Sequence, residues 1–438
     1  MRKFASIALA ALAGCSPSSP HAPLPADPSD TAFLHSLAAH VPGTTPIEHI
    51  VIIVQENRTV DNLFQGYPGA DTITVGKSGN RHIKLQPVSL NAPDIDNSYG
   101  ASIQAFDGGK MDGFAKEAYQ YVNRSDIEPY WRMAQEYTLA DHMFPTTHGQ
   151  SWSAHIDLIA STTNLTPDKA MVDFPTSQPW DCEAPVGTVT PTIDVNHEYD
   201  SGGGPFPCFS HLRTMADTLD AAHVSWRFYA PSIKGDWIGG AWSSFSSIKS
   251  VRYGADWHKV VIPPPTILTD IDAGKLAGVT WVTPDWSYSD HAGSGTTLGP
   301  SWVAAVVNKI GQSQYWDSTA IVVLWDDFGG WYDHLPPPQP DFKGLGIRVP
   351  CLIISPYVRR GYVIHTQYEF GSVLRLVEET FGLPALGTVA QGYSDARGAS
   401  MLDAFDFTKK PRVFHAIPAP VFPDYFLNAK PSERAPDN

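Results

Sequence analysis

Positive charge is scarce in this chain. Lys and Arg total 30 against 45 Asp and Glu, a formal net charge of -15, and no basic block occurs. That excludes a nucleic-acid partner, which needs a basic patch or stripe. An anionic substrate would then need local positive charge, which a metal ion supplies. Long apolar runs are missing as well. The N-terminal stretch Phe4 to Ala13 is too short to span a bilayer. Cysteines number four in 438 residues, and none stands among the acidic motifs described below. No internal repeat is present, and no low-complexity tract beyond residues 16–45.

What is present is enough apolar material for a large core, 42% hydrophobic and 11% aromatic. The N-terminus reads Met1-Arg2-Lys3, then a short apolar segment, then Leu12-Ala13-Gly14-Cys15. This is a charged region followed by a signal-type apolar region, and its end resembles a bacterial lipoprotein box. The resemblance implies cleavage before Cys15 and a lipid anchor on that thiol, with an ordinary secretory signal cut nearby as the alternative. Either reading exports the protein to the bacterial periplasm or cell envelope. Residues 16–45, rich in Pro, Ser and Ala, read as a flexible tether. Export favours disulfides, and Cys182 and Cys208, both in Pro/Gly-rich sequence, are expected to pair. Cys351 opens an apolar run and is expected to be a buried free thiol.

Apolar runs that end in oxygen-bearing side chains carry the chemical signal. Ile47 to Val54 reads as a buried strand and leads into Gln55-Glu56-Asn57-Arg58. Ile321 to Trp325 does the same and stops at Asp326-Asp327, followed by Gly329-Gly330. Val279 to Pro284 leads to Asp290-His291, and Arg348 to Ser355 is a further strand whose end is counted with these three. In open parallel sheets, sites gather outside the carboxyl ends of strands. Burying adjacent carboxylates is costly without a counter-charge, and the oxygen-only set Glu56, Asn57, Asp326 and Asp327 suits one hard divalent cation rather than a structural zinc.

Between these strands, helices are expected over Leu212–Ala222, Trp302–Ile310 and Phe370–Phe381, and helical character over 114–137. Ser151, after the turn at Gly149, reads as the N-cap of a helix running on through Ala160. A hydroxyl there lies at the positive end of the helix dipole, where anions bind. Residues 70–112 and 165–210 read as loop-rich insertions. Strands alternating with helices give an α/β fold with a mostly parallel sheet.

These motifs resemble the bacterial phosphoesterase family that contains non-haemolytic phospholipase C and exported acid phosphatases. The resemblance rests on His49 to Arg58, Gly109 to Phe114, Asp141 to Ser161, Ser289 to His291, Asp326 to Pro337, Arg348 to Pro356 and Ser372 to Leu383. It implies an alkaline-phosphatase-like fold, helices on both faces of the central sheet, with a catalytic domain over 46–410 and a Pro-rich tail over 411–438. It implies a phosphate-ester hydrolase, with a phospholipid or a small phosphomonoester as substrate. Glu56, Asn57, Asp326 and Asp327 would hold one divalent metal, its identity open, as is the oligomeric state. Ser151 would be the nucleophile, giving a phosphoseryl intermediate, with Thr146 or Thr147 as fallback. His291 would contact the phosphoryl group, and Asn97 and His334 would bind substrate or support the site.

Two departures from the family pattern bear on specificity. Asn97 stands where relatives often have His, and it cannot donate a proton as an acid. Trp152-Ser153-Ala154-His155 stands where Phe-Pro-Asn-His is usual. Trp286, Tyr288, Trp325 and Trp331 lie near the motifs and are read either as core or as a cation–π cage for choline. The rival readings are a non-catalytic exported ligand-binding lipoprotein on the same fold, and a sulfatase or phosphonate hydrolase.

Overall fold

A computed structural model describes residues 45–231 and 242–434. The signal segment, Cys15 and the tether up to residue 44 lie outside the described residues, as do residues 435–438 of the tail. Nine strands form the main sheet: β1 (His49–Gln55), β2 (Thr138–Phe144), β3 (Trp226–Tyr229), β4 (Val260–Val261), β5 (Val279–Val282), β6 (Thr319–Trp325), β7 (Val349–Ile354), β8 (Tyr362–Ile364) and β9 (Tyr368–Glu369). Their order is β4-β3-β5-β1-β6-β7-β2-β8, with β9 also paired to β2. Every pairing is parallel except those of β7, which runs opposite to both its neighbours. The expected α/β class and mostly parallel sheet are therefore present.

The central strands form because their sequences are unbroken β-branched and apolar runs. β6 is buried at every residue and β1 at every residue but His49, which requires both faces of the sheet to be covered. The cover comes from helices α1 (Val60–Leu63), α2 (Glu128–Glu136), α3 (Ser151–Ala160), α4 (Met215–Ala221), α5 (Thr266–Asp272), α6 (Gly299–Gly311) and α7 (Phe370–Phe381). Six of them fall into two packed groups, α3 with α4 and α7, and α6 with α2 and α5, while the short α1 packs against strand β7. The bounds of α7 coincide with the expectation. Glu369 and Ser372 form its capping box, and Gly382 ends it in the left-handed conformation at φ 66°.

Other expectations need correction. Ser151 does not cap α3. It is the first helical residue, and Gln150 occupies the cap position. The carboxyl end of β7, with Ser355, faces the wrong way: Ile354 pairs with Ile321 near the start of β6, because β7 is antiparallel. Within 114–137 the α-helix begins only at Glu128, where Pro129 fits the first turn; before it lie two single 3-10 turns, Lys116–Ala118 and Arg124–Asp126, and a short strand, Gln120–Val122, paired with Gln86–Val88. The 165–210 insertion carries most of a small four-stranded sheet, Asn164–Thr166, Lys169–Met171, Thr192–Asp194 and Tyr199–Asp200, and the 70–112 stretch contains a helix, Tyr99–Phe106. Strand β2 escaped notice because Asp141 and His142 interrupt its apolar run.

Cys182 and Cys208 are disulfide-bonded, and Cys351 is a buried free thiol whose ionisation burial pushes far up. The bridge closes a loop with a sequence separation of 26. Replacing both cysteines by serine is expected to cost about 3 kcal/mol from restored unfolded-chain entropy, read as a lower urea midpoint. An unchanged midpoint would mean that the insertion is held without the bridge.

Candidate active site

The register of β1 and β6 creates the site. Gln55 pairs with Trp325, and the ladder runs one step further through Asp326 N–H donating to Gln55 O (3.0 Å). Glu56 and Asp326 therefore leave adjacent parallel strands side by side. On the other flank of β1, Glu56 N–H donates to Ser289 O (2.9 Å), and the Gln55 amide donates to the carbonyls of Tyr288 and Ser289. This draws the segment after β5, with His291, to the same end of the sheet.

Asn57 then turns the chain in the left-handed conformation, at φ 63°. Asparagine tolerates that region better than most residues. The turn aims its backbone N–H at Asp326 Oδ1 (2.8 Å). Its side chain meets His291 Nε2 through Nδ2 (3.1 Å), while His291 Nδ1 lies 2.6 Å from Ala292 O. With Nδ1 carrying the proton to that carbonyl, Nε2 accepts from Asn57 Nδ2. This leaves Asn57 Oδ1 facing Ser151, whose Oγ is 3.5 Å away.

Asp327 is the hub on the β6 side. Its carboxylate accepts from Gly329 N–H (2.7 Å), from Asn97 Nδ2 at both oxygens (3.0 and 3.1 Å) and from Ser151 Oγ (3.3 Å). Gly329 has φ +59°, and a Cβ there would lie 2.2 Å from Asn57 O. The glycine is what lets the loop after β6 lie against the turn after β1. Gly149 has a similar role before α3, where a Cβ would meet Ser153 Oγ at 2.1 Å.

Ser151, Asn57, Asp326, Asp327, Glu56, Asn97 and His291 are thus brought together. All are buried. His334 is not: its ring bonds Asp61 Oδ2 (2.7 Å) and Asp71 Oδ1 (3.2 Å), and Asp61 raises its pKa against the opposing effect of burial. Thr146 and Thr147 are buried, and their hydroxyls have no hydrogen-bond partner among the described residues. Ser151 alone of the three touches the acidic set. Trp286, Tyr288, Trp325 and Trp331 are all buried. Arg58 lies 5.0 Å over the Trp331 ring, and the Trp286 ring packs 4.6 Å from that of His291. None of the four is laid open as a cage wall.

His155 went unread as a site residue. It lies one turn beyond Ser151 on the same face of α3, and its Nε2 is 3.0 Å from Glu56 Oε1 and 3.9 Å from Asp326 Oδ2. The four-residue spacing from Ser151 was the available signal. Arg58 is the other omission. Its guanidinium donates to Asp290 O (2.7 and 3.0 Å) and Leu90 O (2.5 Å) and holds the loop before His291. Tyr130 and Trp325 donate to the Asp290 carboxylate (2.6 and 3.1 Å). Burial pushes that carboxyl up to about 6, against these hydrogen bonds and the Arg58 charge.

The donor set fits a divalent cation. Ligand atoms of Glu56, His155 and Asp326 lie within 4.8 Å of one another, and Asp326 Oδ2 is buried with no hydrogen-bond partner among the described residues. The two carboxylates of this group repel one another unless a cation lies between them, and the neighbouring Asp327 adds a third negative charge. A cavity of about 450 Å³ runs along Asp96, Ser98, Phe328 and Gly330, on the loops that carry Asn97 and Asp327.

A sequence profile of the Phosphoesterase family matches residues 47–384. The chain belongs to that family. It is similar to phospholipase C A of Mycobacterium tuberculosis (25% identity, covering 85% of this chain and 80% of that protein). It is also similar to non-specific phospholipase C1 of Arabidopsis thaliana (24%, covering 77% and 67%) and to the non-hemolytic phospholipase C of Pseudomonas aeruginosa (22%, covering 77% and 54%). Among solved structures, a protein of the alkaline phosphatase superfamily from Vibrio parahaemolyticus has a TM-score of 0.41 at 10% identity, over 85% of this chain and 79% of that one. As the motifs led us to expect, this phosphoesterase is a phosphoric ester hydrolase.

Gly329→Ala is expected to cost at least about 2 kcal/mol, since it adds left-handed strain to a backbone overlap, and to lower turnover by displacing Asp327. Urea unfolding and phosphate-ester hydrolysis measured together check this. Full activity at wild-type stability would refute the close approach described here.

Proposed function

We propose that this phosphoesterase works by a double displacement at Ser151 and that its substrate is a phospholipid-type phosphodiester. The observation that carries the mechanism is the position of Ser151 Oγ, at a helix N-terminus and within 3.3 Å of Asp327 Oδ2 and 3.5 Å of Asn57 Oδ1. Glu56, Asn57, Asp326 and Asp327 would hold one divalent ion, whose chemistry is to lower the pKa of a hydroxyl and to neutralise phosphoryl oxygens. His155 steadies Glu56. His291, with Nδ1 held by Ala292 O and Nε2 by the Asn57 amide, acts on the phosphoryl group through the orientation it gives Asn57.

In the first step the Ser151 oxygen bonds to phosphorus as the bond to the ester oxygen breaks. The Ser151 proton leaves by way of Asp327 Oδ2 to solvent water, and the departing alcohol takes up one proton from solvent water, so the step is proton-neutral. In the second, water attacks the phosphoserine, restores the hydroxyl and releases the phosphoryl product. Positioning and electrostatics supply the rate enhancement.

The names of the relatives support the diester. The burial of the four aromatics favours a second reading, a phosphomonoesterase, because it takes from them the cage that a choline headgroup would use. Export with a lipid on Cys15 belongs to this proposal too. The Cys182–Cys208 bridge supports it, since disulfides persist in oxidising compartments.

Turnover of p-nitrophenyl phosphorylcholine against p-nitrophenyl phosphate decides the substrate class, and preference for the monoester would overturn the diester reading. Ser151→Ala is expected to lower turnover of either by at least about 10³-fold while keeping the metal. Retention of most of the turnover would remove Ser151 as nucleophile. His291→Ala is expected to reduce turnover by about 10²-fold, and metal content with it if Asn57 loses its orientation.

A further inference from the structure

A second group of metal-ligand side chains lies at the far edge of the sheet, separated from the strand that carries Asp326 by β7. Asp141 and His142 are on β2. His365 follows β8, and Ile364 pairs with Ala140 in the parallel register, which sets His365 beside Asp141. Asp71 comes in from the loop after α1, and its backbone N–H donates to Asp141 Oδ2 (2.7 Å). Three chain segments distant in sequence thus converge on one spot.

The spacings suit a small cation. His365 Nδ1 is 2.8 Å from Asp141 Oδ1, and His142 Nε2 is 4.0 Å from the same oxygen and 3.4 Å from Asp71 Oδ2. Ligand atoms of Asp141, His142 and His365 all fall within 4.8 Å of one another. Tetrahedral zinc with bonds of about 2.0–2.1 Å places its ligands roughly 3.3 Å apart, and these separations bracket that value. Asp141 is buried, His142 is half-buried and His365 is exposed, so the group is anchored in the fold and still open to solvent.

Partners behind the ligands hold them in place. Arg348 Nη1 donates to Asp141 O and Nη2 to Asp71 O (3.0 and 2.9 Å). The second oxygen of Asp71 faces His334 Nε2 at 3.2 Å, leaving Oδ2 for the cation. Such outer contacts to carbonyls and carboxylates orient metal ligands elsewhere. Two imidazoles and two carboxylates form a mixed donor set, which suits zinc better than calcium or magnesium. This differs from the carboxylate-rich set around Asp326.

We propose that Asp71, Asp141, His142 and His365 form a second cation site of the zinc class, tying the edge strands of the sheet to the loop after α1. The inference does not rest on the hydrolase mechanism, because its readout is metal content. The full chain, as wild type and as the His142→Gln/His365→Gln variant, is equilibrated with Zn²⁺, freed of loose metal and assayed by elemental analysis. Wild type is expected to keep one zinc equivalent more than the variant, and added Zn²⁺ to raise its unfolding temperature more. Phosphate-ester turnover of the variant is expected to be unchanged, since neither histidine touches the Ser151 site. Equal zinc in the two proteins would overturn the proposal. If the double variant is misfolded by circular dichroism, His365→Gln alone decides, because its side chain is exposed. At least tenfold weaker binding of one zinc equivalent is then expected, and unaltered binding would overturn the proposal.

Discussion

Three carboxylates, Glu56, Asp326 and Asp327, are buried at the ends of two adjacent parallel strands, and much of the surrounding structure serves to keep them there. In a low-dielectric interior their mutual repulsion and lost hydration oppose folding. The chain offsets part of this with donors: the Asn57 and Gly329 backbone N–H groups, the Asn97 amide, the Ser151 hydroxyl and the His155 ring. Those donors are spread over both carboxylate-bearing loops, the Asn97 segment and the first two turns of α3. A cation among the carboxylates would make these placements favourable together.

The same constraint explains the local backbone. Asn57 and Asp290 both adopt positive φ, each one residue from a group that must point into the site. Strain of this kind persists only where the surroundings fix it. Around Asn57 the fixing groups are Asp326, His291 and the glycine opposite. Around Asp290 they are Arg58, Tyr130 and Trp325. The aromatic residues near the motifs thus have a mechanical role: Trp325 and Tyr130 hold the Asp290 loop, and Trp331 lies under Arg58, which grips the same loop from its carbonyl side.

The central part of this architecture was legible in the sequence because buried parallel strands write themselves as unbroken apolar runs, and their ends are visible where the run meets a carboxylate. Ile47 to Asn57 and Ile321 to Asp327 needed nothing else. Strand β2 was not legible, since a single sequence does not distinguish Asp141 and His142 inside a strand from the same residues in a loop. The direction of β7 was hidden too: an apolar run carries no sign of parallel or antiparallel pairing, so Ser355 was grouped with strand ends that it faces away from. His155 was missed because its significance is relational. It matters through Glu56, 99 residues away, and only the packing of α3 on the sheet brings the two together.

The loop from Asp326 to His334 shows how the precision of the site is reached. Its first residues belong to the acidic set, and its glycines press on the turn after β1 and on Ile95. Its last residues leave the site altogether. Asp333 pairs with the buried Arg348 through both oxygens (3.0 and 3.1 Å), and His334 bonds Asp61 and Asp71. A buried ion pair of this kind adds little net stability against an apolar substitute, yet breaking it by removing one partner is costly. Its value here is geometric. It fixes the far end of the loop to the strand β7 side, so that the near end, with Asp327, has one position relative to Ser151. His334 is therefore better understood as an anchor of that loop than as a substrate contact, and its position between Asp61 and Asp71 makes the anchoring continuous with the histidine and carboxylate group at the sheet edge.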